Sequence, residues 1–395
     1  MKKIVFFGIP AHGHTNPTLA IVKELVSKGN RVLYYSYKDF REKIEETGAE
    51  FVSCDDYDSE EKLRKEDSAR IGSDLAFSTK ILVDTTLALN DKVLQDMEAF
   101  KPDCIVADSM ALWGKMIALK LDVPFVSSIT TFAFNKHSAK VMKQGIKDLF
   151  KMFFSMPEIS KQIKRLKNKG YPVKSILDII GSDDNAHAIV YTSSEFQPCS
   201  ETFPPEFSFV GPLLREAYDK IEKKKDKLIY ISMGTVNNDM MPFYKECIAT
   251  FKNTDYQVIM SVGKMVSMDE FEEIPENISV FPDVDQIAVL KKADAFITHA
   301  GMNSVSESLY YEVPLVMLPK TPEQKGVCER VSELGAGIKA DMEDNVSLFS
   351  SVSEVLNNRA YKENAIKISD GFKKSTGVKG ATDKILSVCN KTTVG

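Results

Sequence analysis

The stretch Ala293–Gln324, ADAFITHAGMNSVSESLYYEVPLVMLPKTPEQ, decides the fold. Ala295-Phe296-Ile297-Thr298 is a short apolar, β-prone run of the kind that forms a buried strand. His299-Ala300-Gly301 follows as a sharp exit, which a glycine permits. Asn303 and Ser304 are each good N-cap residues, and from Val305 to Tyr311 the apolar positions fall at helical spacing. Val313-Pro314 stops that helix, and Leu315-Val316-Met317-Leu318 reads as the next buried strand. The unit is strand–turn–helix–strand. Its polar residues crowd at a strand end and a helix N-terminus, where α/β sheets bind ligands. Free backbone N–H groups and the helix dipole favour an anion there. His299 adds a donor, and Glu307 lies one turn further along the same helix. A phosphate group with a ribose behind it suits that chemistry.

Outward from this unit the same alternation recurs. Lys3 to Ile9 is an apolar strand, Pro10 to Asn16 reads as a turn, and Pro17 to Lys28 has helical periodicity ended by Gly29. Arg31 to Tyr35, Phe51 to Ser53, Pro102 to Asp108, Pro124 to Ser127 and Ala188 to Tyr191 are further strands. Long helical segments lie between them, one from Leu75 to Phe100 and one from Trp113 to Leu121. From Thr130 to Tyr171 aromatic and Met residues are dense, with Phe132, Phe134, Met142, Phe150 and Phe154 among them, and these read as one wall of a cleft. Arg215 to Lys227 is charged and lacks apolar spacing, as a solvated connection does. A second series of strands then runs Leu228–Met233, Gln257–Val262, Ile278–Phe281, Ala295–Thr298 and Leu315–Leu318. Strand–helix alternation of this kind gives parallel sheets with helices on both faces. The expected class is α/β: two tandem Rossmann-like domains facing a cleft. They cover residues 1–210 and 228–376, with a linker at 211–227 and a C-terminal helix at 377–395.

Composition narrows the function. A chain of 395 residues is too long for one core. With 43% hydrophobic and 27% charged residues it is an ordinary soluble globular protein. A net charge of −5 gives no electrostatic case for a nucleic-acid partner. No window approaches a membrane span, and the apolar run of MKKIVFFGIPAHGH is too short for a secretory signal. The six cysteines are scattered singly, so neither a zinc site nor a disulfide framework is suggested, and a reducing cytoplasm is expected.

THAGMNSVSES followed by TPEQ resembles the donor-nucleotide signature of the UDP-dependent glycosyltransferases, above all their bacterial macrolide and flavonoid branch. The resemblance extends over nearly the whole chain. It implies the GT-B arrangement, with the C-terminal helix crossing back to the first domain. It also assigns donor contacts: His299, Gly301, Asn303 and Ser304 to the diphosphate, Glu307 to the ribose hydroxyls, Glu323 and Gln324 to the sugar. Ser232 and Thr235, in the ISMGTV turn that opens the second domain, resemble the family's strand-end residues near the phosphates.

Two further residues carry the chemistry in this resemblance. His14 lies in PAHGHTNP, two residues before an Asn-Pro pair, which selects it over His12 as the general base for an acceptor hydroxyl. Asp108, in VADSMALWG, would fix the imidazole tautomer and stabilise the imidazolium. Asp108 as the N-cap of the following helix, and Asp103 as the partner carboxylate, are the alternatives. Phe132 and Phe134 are candidate acceptor contacts.

One departure matters. The family's Trp-x-Pro-Gln run, whose Trp stacks on the uracil, is Asp283-Val284-Asp285-Gln286 here. Gln286 is retained, but a stacking contribution of about 1 kcal/mol is missing at Asp283, with Phe281 as a possible substitute ring. Uridine and thymidine diphosphate sugars both stay open as donors.

The implied activity is inverting transfer of a hexose, glucose being the expected one from UDP-glucose, to a hydroxyl of a flavonoid, phenolic or macrolide. No metal and no cofactor are expected, and the protein is expected to act as a monomer. A nucleotide-sugar-binding protein and a sugar-nucleotide epimerase are the competing readings. A dinucleotide oxidoreductase is disfavoured, because GIPAHGH is not GxGxxG.

Overall fold

The computed structural model describes residues 1–55, 74–138, 146–173, 187–234, 240–271, 273–341 and 345–390. The chain divides into two compact units. One comprises Met1–Leu213 with Ser375–Gly395, and the other Leu214–Lys374.

The first unit is built on β1 (Lys3–Phe7), α1 (His12–Ser27), β2 (Arg31–Ser36), α2 (Arg41–Glu45), β3 (Glu50–Ser53), α3 (Leu75–Phe100), β4 (Cys104–Asp108), α4 (Leu112–Leu121), β5 (Phe125–Ile129), α5 (Ile146–Asn168), β6 (His187–Val190) and β7 (Phe207–Phe209). Its sheet has the order β3-β2-β1-β4-β5-β6-β7, and every pairing is parallel. Strands covered on both faces read as continuous apolar runs, and KIVFF and CIVAD are such runs, buried almost throughout. α1 ends where Gly29 adopts φ +79, its N–H bonding Val26 O while Asn30 N bonds Leu25 O. The helix begins earlier than its sequence suggests. His12 to Asn16 form its first turn, not a turn before it, and Pro17 falls inside.

The second unit contains β8 (Lys227–Ser232), α6 (Met241–Phe251), β9 (Tyr256–Ser261), β10 (Ile278–Phe281), α7 (Gln286–Leu290), β11 (Ala295–Thr298), α8 (Met302–Tyr310), β12 (Leu315–Met317), α9 (Pro322–Glu333), β13 (Gly337–Lys339), α10 (Asn345–Asn357) and α11 (Arg359–Lys374). Its six strands, again all parallel, follow the order β10-β9-β8-β11-β12-β13. In both sheets the order reverses beside the first strand, between β1 and β4 and between β8 and β11. Those reversals are where open α/β sheets leave a crevice at the strand C-termini.

The last helix, α12 (Gly377–Cys389), belongs to the first unit. Ala381, Ile385, Val388 and Cys389 share a core with Ile4, Val22, Leu25 and Cys104. Beyond Gly211 the stretch 211–227 is exposed or half-buried. From Leu214 it is part of the second unit. Lys223 pairs with Asp294 at 2.6 Å, and Gln257 bonds Lys224 N and Glu222 O through its two amide ends. The segment is held to the second unit by hydrogen bonds and an ion pair rather than by burial, in keeping with its charge and its lack of apolar spacing. Among the described residues no helix is long and apolar enough to cross a membrane.

α4 sits so close to the sheet that only glycine fits at position 114. A Cβ there would lie 2.5 Å from Ala107 Cβ and 2.9 Å from Phe7 Cδ2. Gly114→Ala is therefore expected to cost about 1–3 kcal/mol by overpacking, read as a lower urea midpoint for the first unit. An unchanged midpoint would show that α4 is not seated on β1 and β4 in this way.

Candidate active site

In the first unit, three elements bring polar side chains to the switch point. His14 projects from the first turn of α1, Asp108 is the last residue of β4, and Thr130 follows β5. His14 Nδ1 lies 2.8 Å from Asp108 Oδ2 and 3.0 Å from Thr130 Oγ1. A carboxylate only accepts, so Nδ1 carries the proton and Nε2 is left as the basic nitrogen. Asp108 is 5% exposed, and its other oxygen, Oδ1, accepts the Met110 N–H at 2.8 Å. The N-cap reading fails, because α4 is capped by Ala111. Asp103 is excluded as the partner: it accepts Lys3 N–H at 2.7 Å, at the start of its strand. His12 packs its ring edge-on against Phe40 at 4.9 Å.

The acceptor contacts divide. Phe132 is 2% exposed and packs on Phe196, so it belongs to the core and offers a ligand little surface. Phe134 is exposed. The side chains of Met142, Phe150 and Phe154 lie outside the described residues, so the expected wall is not placed.

In the second unit, Ser232 ends β8 and pairs in register with Thr298 at the end of β11. His299 follows, wedged between two glycines. A Cβ at Gly234 would meet its Cε1 at 2.5 Å, and one at Gly301 its Nε2 at 2.7 Å. Gly234 is also at φ +82, and buried Ala300 is held at φ +65, a conformation that costs a non-glycine residue. His299 Nδ1 is buried without a hydrogen-bond partner among the described residues. Burial first, then the nearby Lys320 ammonium, pushes the imidazole down to about 4, so at neutral pH it is an uncharged donor. Thr235 lies outside the described residues.

α8 is capped by Gly301, so Asn303 and Ser304 are first-turn residues and not caps. Their backbone N–H groups are among those a helix leaves unpaired internally. One turn on, Glu307 accepts a short hydrogen bond from Gln286 Nε2, which also reaches Ser304 Oγ at 3.4 Å. Burial raises the Glu307 carboxyl, and Gln286 and Arg215 oppose that rise. Gln286 Oε1 accepts from Tyr230 OH at 3.3 Å.

The TPEQ residues behave differently from each other. Glu323 is exposed in the first turn of α9. Gln324 closes a capping box with Thr321, its Oε1 accepting Lys320 N at 2.8 Å and Thr321 N at 3.1 Å. Only its NH2 can turn to a ligand. Sequence reasoning missed Lys320, an exposed loop cation whose ammonium reaches Met240 Sδ at 3.1 Å. No carboxylate pairs with it among the described residues; the signal available was a cation inside the PKTPEQ run.

Asp285 was read as a lost proline, and it is a buried anchor. It is 1% exposed. Its Oδ1 accepts Arg215 Nη2 at 2.6 Å, and its Oδ2 accepts Tyr218 N–H at 2.7 Å and Asp219 N–H at 3.0 Å. Burial alone would raise this carboxyl, but the guanidinium and the two N–H groups outweigh it and hold it below the usual carboxylate range. Asp283, at the position of the family's Trp, is mostly exposed and 4.0 Å from Lys264.

Residues 212–379 match the family model for UDP-glucoronosyl and UDP-glucosyl transferase. The chain is 33% identical to the uncharacterized UDP-glucosyltransferase YojK of Bacillus subtilis over 100% of this chain and 99% of that one. It is 36% identical to the NDP-glycosyltransferase YjiC of Bacillus licheniformis, over 97% of each. The crystal structure of the calicheamicin glycosyltransferase superposes with a TM-score of 0.81 at 25% identity, covering 98% of both chains. The chain belongs to the UDP-glycosyltransferase family. Its two parallel-sheet domains are those of GT-B glycosyltransferases, and it is an enzyme of that class.

The His299 environment has a consequence for stability. An imidazole at about 4 in the folded chain and 6.5 in the unfolded one disfavours folding once the unfolded chain takes up its proton. Stability is full above pH 6.5 and falls as pH drops from 6.5 toward 4, by roughly 3 kcal/mol at most. His299→Gln is expected to flatten that part of the urea-midpoint profile. An equal slope in parent and variant would place the titration elsewhere.

Proposed function

We propose that the protein is an inverting hexosyltransferase, moving glucose from UDP-glucose to a hydroxyl of an apolar small molecule such as a flavonoid, phenolic or macrolide. The observation that carries this reading is the 2.8 Å contact between His14 Nδ1 and buried Asp108. That contact leaves Nε2 basic and stabilises the imidazolium that proton uptake creates. The acceptor O–H proton passes to His14 Nε2. The oxygen forms a bond to the anomeric carbon from the face opposite the leaving group. The bond from that carbon to the diphosphate oxygen breaks, and its electron pair departs with the nucleoside diphosphate.

The second unit supplies the electrostatic half of the reaction. The uncharged His299, the backbone N–H groups around Gly301, Asn303 and Ser304, and Ser232 with Thr235 donate hydrogen bonds to the diphosphate, and Lys320 adds a cation. Glu307 accepts from the ribose hydroxyls, while Glu323 and the Gln324 NH2 reach the sugar. The reaction so written needs no metal and no cofactor. UDP-glucose as donor is supported by the name of the YojK relative, and the wider name of the YjiC relative leaves room for other nucleotides. The acceptor class is supported by the calicheamicin enzyme, whose name ties it to a natural product. Six free cysteines support a reducing, cytoplasmic setting, and we take the working form to be a monomer.

The test is release of UDP from UDP-glucose with and without a phenolic acceptor, together with a mass gain of one hexose on the acceptor. Acceptor-dependent release is expected. Release without acceptor, or conversion to another sugar nucleotide, would replace the reading. His14→Ala is expected to lower turnover by about two to four orders of magnitude, with UDP affinity by calorimetry kept. Near-parental turnover in that variant would remove His14 from the role of base.

A further inference from the structure

We infer that Tyr218 is the ring on which the donor's nucleobase stacks, and that Asp285 is the residue that positions it. This deepens the proposed function and rests on the second unit being the nucleotide site.

The observations form a continuous path. Glu307, the ribose acceptor, is bonded to Gln286, and the neighbouring Asp285 holds the backbone of Tyr218 through its N–H at 2.7 Å. A base attached to a ribose at Glu307 and directed along this path meets Tyr218. Tyr218 is 71% exposed, although its backbone is fixed by the carboxylate of Asp285, a residue only 1% exposed. An exposed aromatic on an immobile backbone is what a stacking platform requires, because little ordering entropy remains to be lost on binding.

The Arg215 guanidinium lies over the ring at 4.6 Å, and it is tied to Asp285 Oδ1 at 2.6 Å and Glu216 O at 2.9 Å. Ring and cation are therefore both tied to Asp285, the ring through its own backbone N–H and through the guanidinium. Asp283 cannot stack, and its carboxylate faces Lys264. The two departures from Trp-x-Pro-Gln are then linked. The residue that replaces the proline recruits, from the preceding segment, an aromatic ring to do what the missing Trp would do. Stacking on such a ring tolerates both pyrimidines, so uridine and thymidine diphosphates bind alike.

The test is calorimetry on the full chain with uridine diphosphate, thymidine diphosphate and inorganic pyrophosphate as probes. Tyr218→Ala is expected to weaken both nucleotides about tenfold and to leave pyrophosphate unchanged, while Tyr218→Phe stays within about twofold of the parent. Asp285→Asn is expected to weaken the nucleotides similarly, with no further loss in the double variant, since both changes remove one platform. Additive losses would give Asp285 a separate structural role. Because Tyr218 is exposed, its variants test the idea even where Asp285→Asn does not fold. Parental nucleotide affinity in Tyr218→Ala, an equal loss of pyrophosphate, or transfer of the whole effect to Phe281→Ala overturns the inference alone. A parent chain that binds neither nucleotide overturns the function reading beneath it as well.

Discussion

A parallel strand cannot return to its neighbour by a tight turn; it must be left by a crossover and re-entered from the far end. Every strand pairing in both sheets obeys this constraint. Its consequence is that all strand C-termini of a sheet gather on one edge. Where the strand order reverses, the following helices depart to opposite faces, and a polar crevice opens in an otherwise apolar layer. His14, Asp108 and Thr130 stand on that edge in one unit, and Ser232 and His299 in the other. The chain needs no special local geometry to bring them together. The sheet does it, and short side chains complete the contact.

What is special is confined to the second edge, and it is costly. An imidazole is placed where its charged form is disfavoured, between two positions that tolerate no Cβ, with a non-glycine residue at positive φ between it and the next helix. Such features persist where the surroundings over-determine them, and they gather at functional sites. Here they keep His299 neutral at physiological pH. In the role proposed for it, a neutral donor holds an oxyanion through a hydrogen bond without a proton to lose, and that bond does not change with small changes of pH.

The strands and most helices were legible because their signals are dense: apolar runs for strands covered on both faces, and 3.6-residue spacing between them. Ile278–Phe281 and Ala295–Thr298 were read to the residue. The errors came where two chemistries share one residue type. Gly, His and Asn read as turn residues, yet His12 to Asn16 are the first turn of a helix, where N–H groups lack intrahelical partners anyway. Phe132 read as a cleft wall, yet an aromatic ring is as much at home beside Phe196 in the core. The Gln of TPEQ carries a second task that its sugar-contact reading does not show, since its oxygen closes a helix cap. Asp285 and the segment it holds were illegible for a simpler reason. Their bonds join residues 66 to 70 positions apart, and no local pattern announces a carboxylate that reaches so far.

The acidic residues around the proposed nucleotide site raise an apparent conflict, since a diphosphate should avoid carboxylates. The contacts resolve it. Asp285 is matched by Arg215 at 2.6 Å and by two N–H donors, so its charge is cancelled where it arises. Glu307 spends one oxygen on the Gln286 amide, whose N–H dipole offsets part of its field. Asp283 faces Lys264 and stands mostly in water, where screening over about 8–10 Å limits its reach. Lys320, by contrast, has a thioether for a neighbour and no carboxylate partner among the described residues. Its charge, with the positive end of α8, is left uncancelled at the strand edge. The local field at the end of β11 therefore favours an anion in a chain whose net charge is −5. The overall acidity of the protein and its fitness for an anionic donor are set by different residues and do not conflict.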